Sequence, residues 1–286
     1  MSKAATADSY SKNMLHQKVF RTIICILFCI IALLPFVLLV MNATRDSESI
    51  KAGVSLIPST HLIENWKNLM IKQNGMQITL QKAILNSATI TIPGTFLAVY
   101  FSALTAYGIH VYDFKFKKFA WAFIMAVMMV PSQISIIGFY RFMLDLKLID
   151  TYIPLIIPTI AAPTVVFFMK QYMESTLSLE MIEAARIDGA TNFQVFMKIN
   201  LPLSRPIIVY TALSSFTWPW SDFILPKLLL KEKNLYTVAV GLMSLDETEF
   251  ARFAAGSVFI AVPIVLLYFF LVKDMVNGMA AGAVKG

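Results

Sequence analysis

An all-α polytopic membrane protein with six transmembrane helices is the fold class the sequence predicts, on three observations. Of its 286 residues, 58% are hydrophobic and only 14% charged, against about 25% charged in ordinary soluble domains. Charge-free apolar runs occupy residues 22–41, 83–109, 119–140, 151–169 and 253–272; a sixth, 206–230, is interrupted by Asp222 and Lys227 near its far end. Each comes close to the roughly 20 helical residues that cross a hydrocarbon core of about 30 Å. Finally, ten of the twelve prolines, Pro35, Pro93, Pro131, Pro154, Pro158, Pro163, Pro206, Pro219, Pro226 and Pro263, fall in or beside those runs. A proline removes a backbone donor and bends its helix, which lipid tolerates only where protein or water satisfies the freed carbonyl. Such breaks suit a moving transporter core and also occur in static bundles.

Residues 1–21 are expected to be a cytoplasmic tail, polar and flexible as far as about Gln17 until the membrane orders it. About twenty polar residues precede the first apolar run and no small-residue cleavage site follows it, so it reads as a retained anchor, not a signal peptide. Cys25 and Cys29 stand four apart on one face of that helix and read as buried small hydrophobes; with no other cysteine and with His16, His61 and His110 scattered, no metal site is expected. Residues 42–82 form an external segment with Trp66 and a turn signal at Gly75. It is long enough for a short amphipathic surface helix, though a plain connector fits as well. In the inner loop 110–118, Tyr112, Phe114 and Phe116 alternate with charges, the pattern of an interfacial belt with snorkelling lysines.

With both termini in the cytoplasm, 13 Lys and Arg lie inside and 11 outside, a small bias in the sense of the positive-inside rule. The net charge of +7 then belongs mainly to the inner face, where anionic lipid head groups favour it. Nucleic acid is not an expected partner. The six-helix domain spans 22–273, an inner loop fills 170–205, and 274–286 forms a cytoplasmic tail.

That inner loop is far longer than the two to eight residues a helix connection needs. Ser178 is placed to cap a helix over 179–188, Glu180 and Glu183 complement its dipole, and Gly189 can take the left-handed conformation that ends it. Thr191 can cap a second short helix carrying Phe193, Phe196 and Met197, which Pro202 and Pro206 feed into the next span. Ala184 and Ala185 let another protein surface come close, while Glu183, Arg186 and Asp188 supply ionic partners around them. An ordinary amphipathic surface helix would look much the same, and no catalytic residue is apparent.

Glu183-Ala184-Ala185, with Gly189 six residues after the glutamate, Ile199 ten after the glycine, and then Leu201-Pro202, resembles the EAA loop of permease subunits in binding-protein-dependent ABC importers. Three more blocks resemble the sugar-importing branch, specifically the smaller maltose-type permease: Phe216-Thr217-Trp218-Pro219-Trp220-Ser221-Asp222-Phe223, Leu235-Tyr236-Thr237-Val238, and the glycine-rich end from Gly278 to Gly286. Related members more often carry Asn where Ser221 stands. The resemblance implies the ABC importer type I permease architecture in the cell membrane. It implies docking of Glu183, Ala184, Ala185, Asp188 and Gly189 into a cytoplasmic ATPase subunit. Further implied partners are a second homologous permease, an extracytoplasmic solute-binding protein and a carbohydrate substrate.

The sequence holds no G-x-x-x-x-G-K-[ST] loop, so ATP and magnesium are expected on the separate ATPase and no cofactor in this chain. Trp218, Trp220 and Asp222 are candidate substrate-pathway residues, since indoles stack on sugar faces and a carboxylate accepts hydroxyl hydrogen bonds. They also read as an aromatic belt beside a wet carboxylate, because Asp222 lies sixteen residues past Pro206, about 24 Å along a helix and close to the outer interface. Two other functions compete: a permease of the same architecture for a non-sugar solute, and an ion-coupled carrier, which would hold ionisable residues nearer the bilayer centre.

Overall fold

The computed structural model describes residues 2–71, 77–246 and 248–283, and every regular element among them is helical. The chain divides into two compact units, residues 1–68 with 247–258, and residues 69–246 with 259–286.

In the first unit, α1 (Ser2–Ala43) is one helix of 42 residues. It extends through the polar tail expected to be flexible, because no glycine or proline precedes Pro35 to stop it. None of its apolar window is buried within the chain. Cys25 and Cys29 are correspondingly exposed free thiols, not the buried pair expected, since no described part of the chain covers that stretch of α1. The segment after it is folded. Asp46 caps α2 (Ser47–Ala52), accepting from Ser49 N at 2.9 Å and Ser49 Oγ at 2.5 Å. Asn65, on α3 (Leu62–Met70), donates to the carbonyls of Ala43 and Arg45 at 3.0 and 2.9 Å. Trp66 Nε1 donates to Ala255 O at 3.2 Å. The external segment is thus not a plain connector; Gly75 lies outside the described residues.

The second unit is organised around α4 (Leu80–Val111). Ala83, Ser87, Thr91, Gly94, Ala98, Ser102 and Ala106 recur every three or four residues and are all buried, forming a seam of small side chains. Two helices lie along α4: α7 (Ile153–Thr176) and α10 (Arg205–Ser221). Thr159 reaches the backbone of α4, donating to Gly94 O at 3.0 Å, and a Cβ on Gly94 would meet its methyl at 3.4 Å. Between α4 and α7 come α5 (Lys117–Met128) and α6 (Ser132–Asp145). After α7 come α8 (Leu179–Ile187) and α9 (Asn192–Val195), the latter continued by a π turn over Phe196–Asn200. Beyond α10 lie α11 (Ile224–Leu229), α12 (Val238–Leu242) and α13 (Phe250–Ala283).

The six apolar runs do not all become continuous spans. Among the described residues four helices are long and apolar enough to cross a membrane: Gln17–Ala43, Leu80–Val111, Ile153–Thr176 and Phe250–Met275. The 119–140 run is a bent pair, α5 and α6 meeting at 99° beside Pro131, whose missing N–H interrupts the ladder. The 206–230 run stops at Ser221 because Asp222 turns extended (ψ 129°) and its carboxylate accepts from Ile224 N at 3.0 Å, starting α11 instead. In α7 a 3-10 turn at Ile157–Ile160 precedes the helix that resumes at Pro163. At the other end of the chain, α13 continues past Asp274 to Ala283, through most of the 274–286 tail; residues 284–286 lie outside the described residues.

Side chains on α4 also hold the loop before α12. Buried Asn86 donates to Asn234 O and Tyr236 O at 2.8 and 3.0 Å, and Ser87 Oγ accepts from Val238 N at 2.9 Å. We expect Asn86→Leu, which leaves those carbonyls unpaired, to cost about 1–3 kcal/mol, read as a fall in apparent Tm in detergent. In the first unit, the Ser49 hydroxyl and amide hold the Asp46 carboxyl down from 3.8 to about 2. A depressed carboxyl contributes its stabilisation above its unfolded pKa and loses it as pH falls through the folded one. The cap on α2 therefore persists down to about pH 4 and is lost toward pH 2, and Ser49→Ala moves the carboxyl-shift titration of Asp46 upward.

Candidate functional site

The most exposed ordered feature of the second unit is α8. Its start is fixed by Ser178, whose Oγ accepts from Met181 N at 3.3 Å. Glu180 sits in the first turn, where its own backbone N–H and the Ser178 hydroxyl hold its carboxyl below the usual value. The end is a Schellman closure: Ala190 N donates to Ala185 O and Gly189 N to Arg186 O, each at 3.0 Å, with Gly189 at φ +85°. Thr191 and Gln194 then form a capping box that opens α9. These are the caps expected from sequence, because each is set by residues within one turn of it.

One side of α8 is anchored. Ile182 is buried with Tyr107 and Ala106 of α4, Met169 and Met173 of α7, and Phe196. Tyr107 and Phe196 meet edge to face with ring centroids 5.3 Å apart. His110, in the last turn of α4, donates through Nε2 to Leu177 O at 2.8 Å, and the Arg186 guanidinium lies 5.6 Å from the Tyr112 ring centroid. The opposite side is bare. Glu183, Ala184, Asp188 and Gly189 are exposed, Ala185 is half-buried, and Ile187 is 85% exposed. Phe193 and Met197 are exposed nearby, whereas Phe196, expected on the same side, has turned into the core. A recess of about 420 Å³ opens beside the helix end, lined by Asp188, Gly189, Gln194 and Lys198. The result is a rigid knob, fixed to two long helices and presenting small and charged side chains outward.

A second site lies at the other end of α10. Tyr210, Ser214, Thr217 and Ser221, spaced four, three and four apart, follow one face of that helix and line a cleft of about 720 Å³ with Gln133, Trp218 and Asp222. Trp218 is 73% exposed. Trp220 is not part of the cleft: it is buried, its Nε1 donates to Ile260 O at 3.1 Å, and its ring stacks on Phe216. Two residues apart on a helix, the two indoles cannot share a face, so Trp218 and Asp222 are brought together and Trp220 is not. The hydroxyl stripe was missed from sequence, though its period was legible inside the 206–230 run.

The family described as the binding-protein-dependent transport system inner membrane component matches residues 6–276. The chain belongs to that family of permeases. Among its relatives, the arabinooligosaccharides transport system permease protein AraQ of Halalkalibacterium halodurans is 34% identical over 262 residues, covering 90% of this chain and 92% of the relative. The maltodextrin transport system permease protein MdxG of Bacillus subtilis is 35% identical over 207 residues, covering 70% of this chain and 74% of the relative. A solved bacterial ABC transporter involved in the import of the acidic polysaccharide alginate shares the fold, with a TM-score of 0.76 at 19% identity, covering 92% of this permease and 97% of that chain. The permease is a transport component, not an enzyme.

Gly189 of the permease tests the closure of the knob directly. A Cβ there meets nothing within 4 Å, so Gly189→Ala carries only the left-handed backbone penalty of about 1–2 kcal/mol. We expect faster hydrogen exchange at the Ala190 amide in Gly189→Ala, and protection largely restored in Gly189→Asn.

Proposed function

We infer that the permease forms half of the translocation pathway of an ATP-driven importer for carbohydrate, with oligosaccharides as the substrate class. Its six apolar runs make six crossings, the bent pair α5 and α6 counting as one and α10 with α11 as another. Both termini and the α8 knob face the cytoplasm, and a second homologous permease completes the path. A solute-binding protein delivers sugar from outside, and separate ATPase subunits bind ATP and magnesium.

One observation carries this reading: the knob is bare on one side and locked into the α4 and α7 core on the other. Ala184 and Ala185 admit a close-fitting surface, Glu183 and Asp188 give it charge contacts, and Gly189 lets the backbone turn away. Force applied to α8 passes through Ile182, the His110–Leu177 bond and the Arg186–Tyr112 contact to the inner ends of both long helices. Closure of the ATPase pair on ATP would thereby favour one of two access states, a population shift driven by differential binding. The relatives named for arabinooligosaccharides and maltodextrin support the substrate class. So does the cleft on α10, whose hydroxyls, indole and carboxylate are groups that bind polyols.

The test is ATP-driven sugar uptake by the reconstituted complex. Glu183→Lys, a charge reversal at the contact, and Gly189→Pro are each expected to lower uptake at least about ten-fold with membrane insertion unchanged. Normal uptake by both variants would overturn the docking role of the knob.

A further inference from the structure

The cleft on α10 holds one carboxylate and no cationic side chain among its described lining residues, while Gln133, Tyr210, Trp218 and Ser221 also bring N–H and O–H donors to it. Ser214 Oγ donates to Thr211 O at 3.0 Å and Thr217 Oγ1 to Leu213 O at 2.8 Å, so both hydroxyl protons are spent on the helix and only lone pairs remain toward the cleft. Asp222 adds a carboxylate; it accepts from Ile224 N and meets no cation among the described lining residues. The next two lysines along the chain are turned to tyrosines. Lys227 Nζ lies 4.7 Å from the Tyr236 ring centroid and 3.3 Å from its hydroxyl, and Lys231 Nζ lies 5.5 Å from the Tyr140 ring centroid. Trp218, exposed on the same wall, offers an apolar ring face. The volume, about 720 Å³, is within the roughly 300–1,000 Å³ of small-molecule sites.

From this chemistry we propose that the cleft selects neutral oligosaccharides and rejects acidic ones, with Asp222 as the residue that sets the discrimination. A neutral sugar brings hydroxyl donors for Ser214, Thr217 and Asp222 and a C–H face for Trp218. A uronate or phosphorylated sugar brings a charge of the same sign as Asp222 into a cleft whose described lining has no cation to offset it. The proposal rests on the sugar-pathway reading above and adds the charge class of the substrate.

The test uses the intact transport complex in nanodiscs and the fluorescence of Trp218, isolated by difference from Trp218→Phe. It is titrated with a neutral tetrasaccharide and with its C6-carboxylate counterpart of the same linkage. The wild-type complex is expected to bind the neutral sugar about ten-fold more tightly, and Asp222→Asn to close the gap by improving the acidic sugar. Asn keeps an oxygen that can accept from the Ile224 N–H, and a gain in affinity is not what a folding defect produces. Equal binding of the two sugars by wild type, or a gap unchanged in Asp222→Asn, overturns the charge selection and leaves the pathway intact. Quenching by neither sugar while uptake persists removes both the selection and the cleft as pathway, without touching the knob.

Discussion

Helices in a bilayer gain nothing from hiding apolar surface, because lipid tails are as apolar as leucine; they associate where backbones come close enough for dispersion and hydrogen bonds to add up. The seam of small residues on α4 meets that requirement. Eight buried alanine, serine, threonine and glycine positions run from Ala83 to Ala106, seven of them on the seam. At Gly94 the fit is tight enough for Thr159 to hydrogen-bond the backbone of α4 itself. With α7 and α10 held against this seam, α4 links its first turns, where Asn86 and Ser87 fix the loop before α12, to its last turns, where Tyr107 and His110 hold the start of the knob.

The two candidate sites lie on helices that share this seam, and they divide the chemistry. At the α8 knob the exposed groups are small, with isolated charges, suited to a fitted protein surface. At the cleft they are hydroxyls, an indole and one carboxylate, suited to a polyol. A serine or threonine facing lipid would return its proton to its own helix and offer nothing further; lining a cleft, the same side chain offers its lone pairs. Proline placement bears on the cleft. Pro131 separates α5 from α6, and Pro219 lies in the last turn of α10, so irregular backbone occurs where a cavity or a neighbouring helix can satisfy it.

How much of this was legible in the sequence depended on the range over which each feature is determined. The caps at Ser178 and Thr191, and the left-handed Gly189, were readable because the deciding atoms lie within one turn. The number of continuous spans was not, because an apolar run says nothing about where its helix breaks: Asp222 ends α10 through a single side-chain bond to Ile224 N. The pairing of Trp218 with Trp220 also failed, since a burial decided by Phe216 and the distant Ile260 carbonyl leaves no local signature.

Composition, the apolar runs and the residues from Glu183 to Pro202 by themselves determined a membrane-embedded helical permease with a capped helix between two of its apolar runs. Each is a local property, either of transfer into lipid or of a helix terminus. Only the tertiary structure decided which side of that element is bare, which indole faces the cleft, and that Ser214, Thr217 and Asp222 share one wall. Those outcomes depend on which distant side chains occupy the opposite face of each helix, and in lipid that is set by close packing along α4, not by the apolar pattern of any single run.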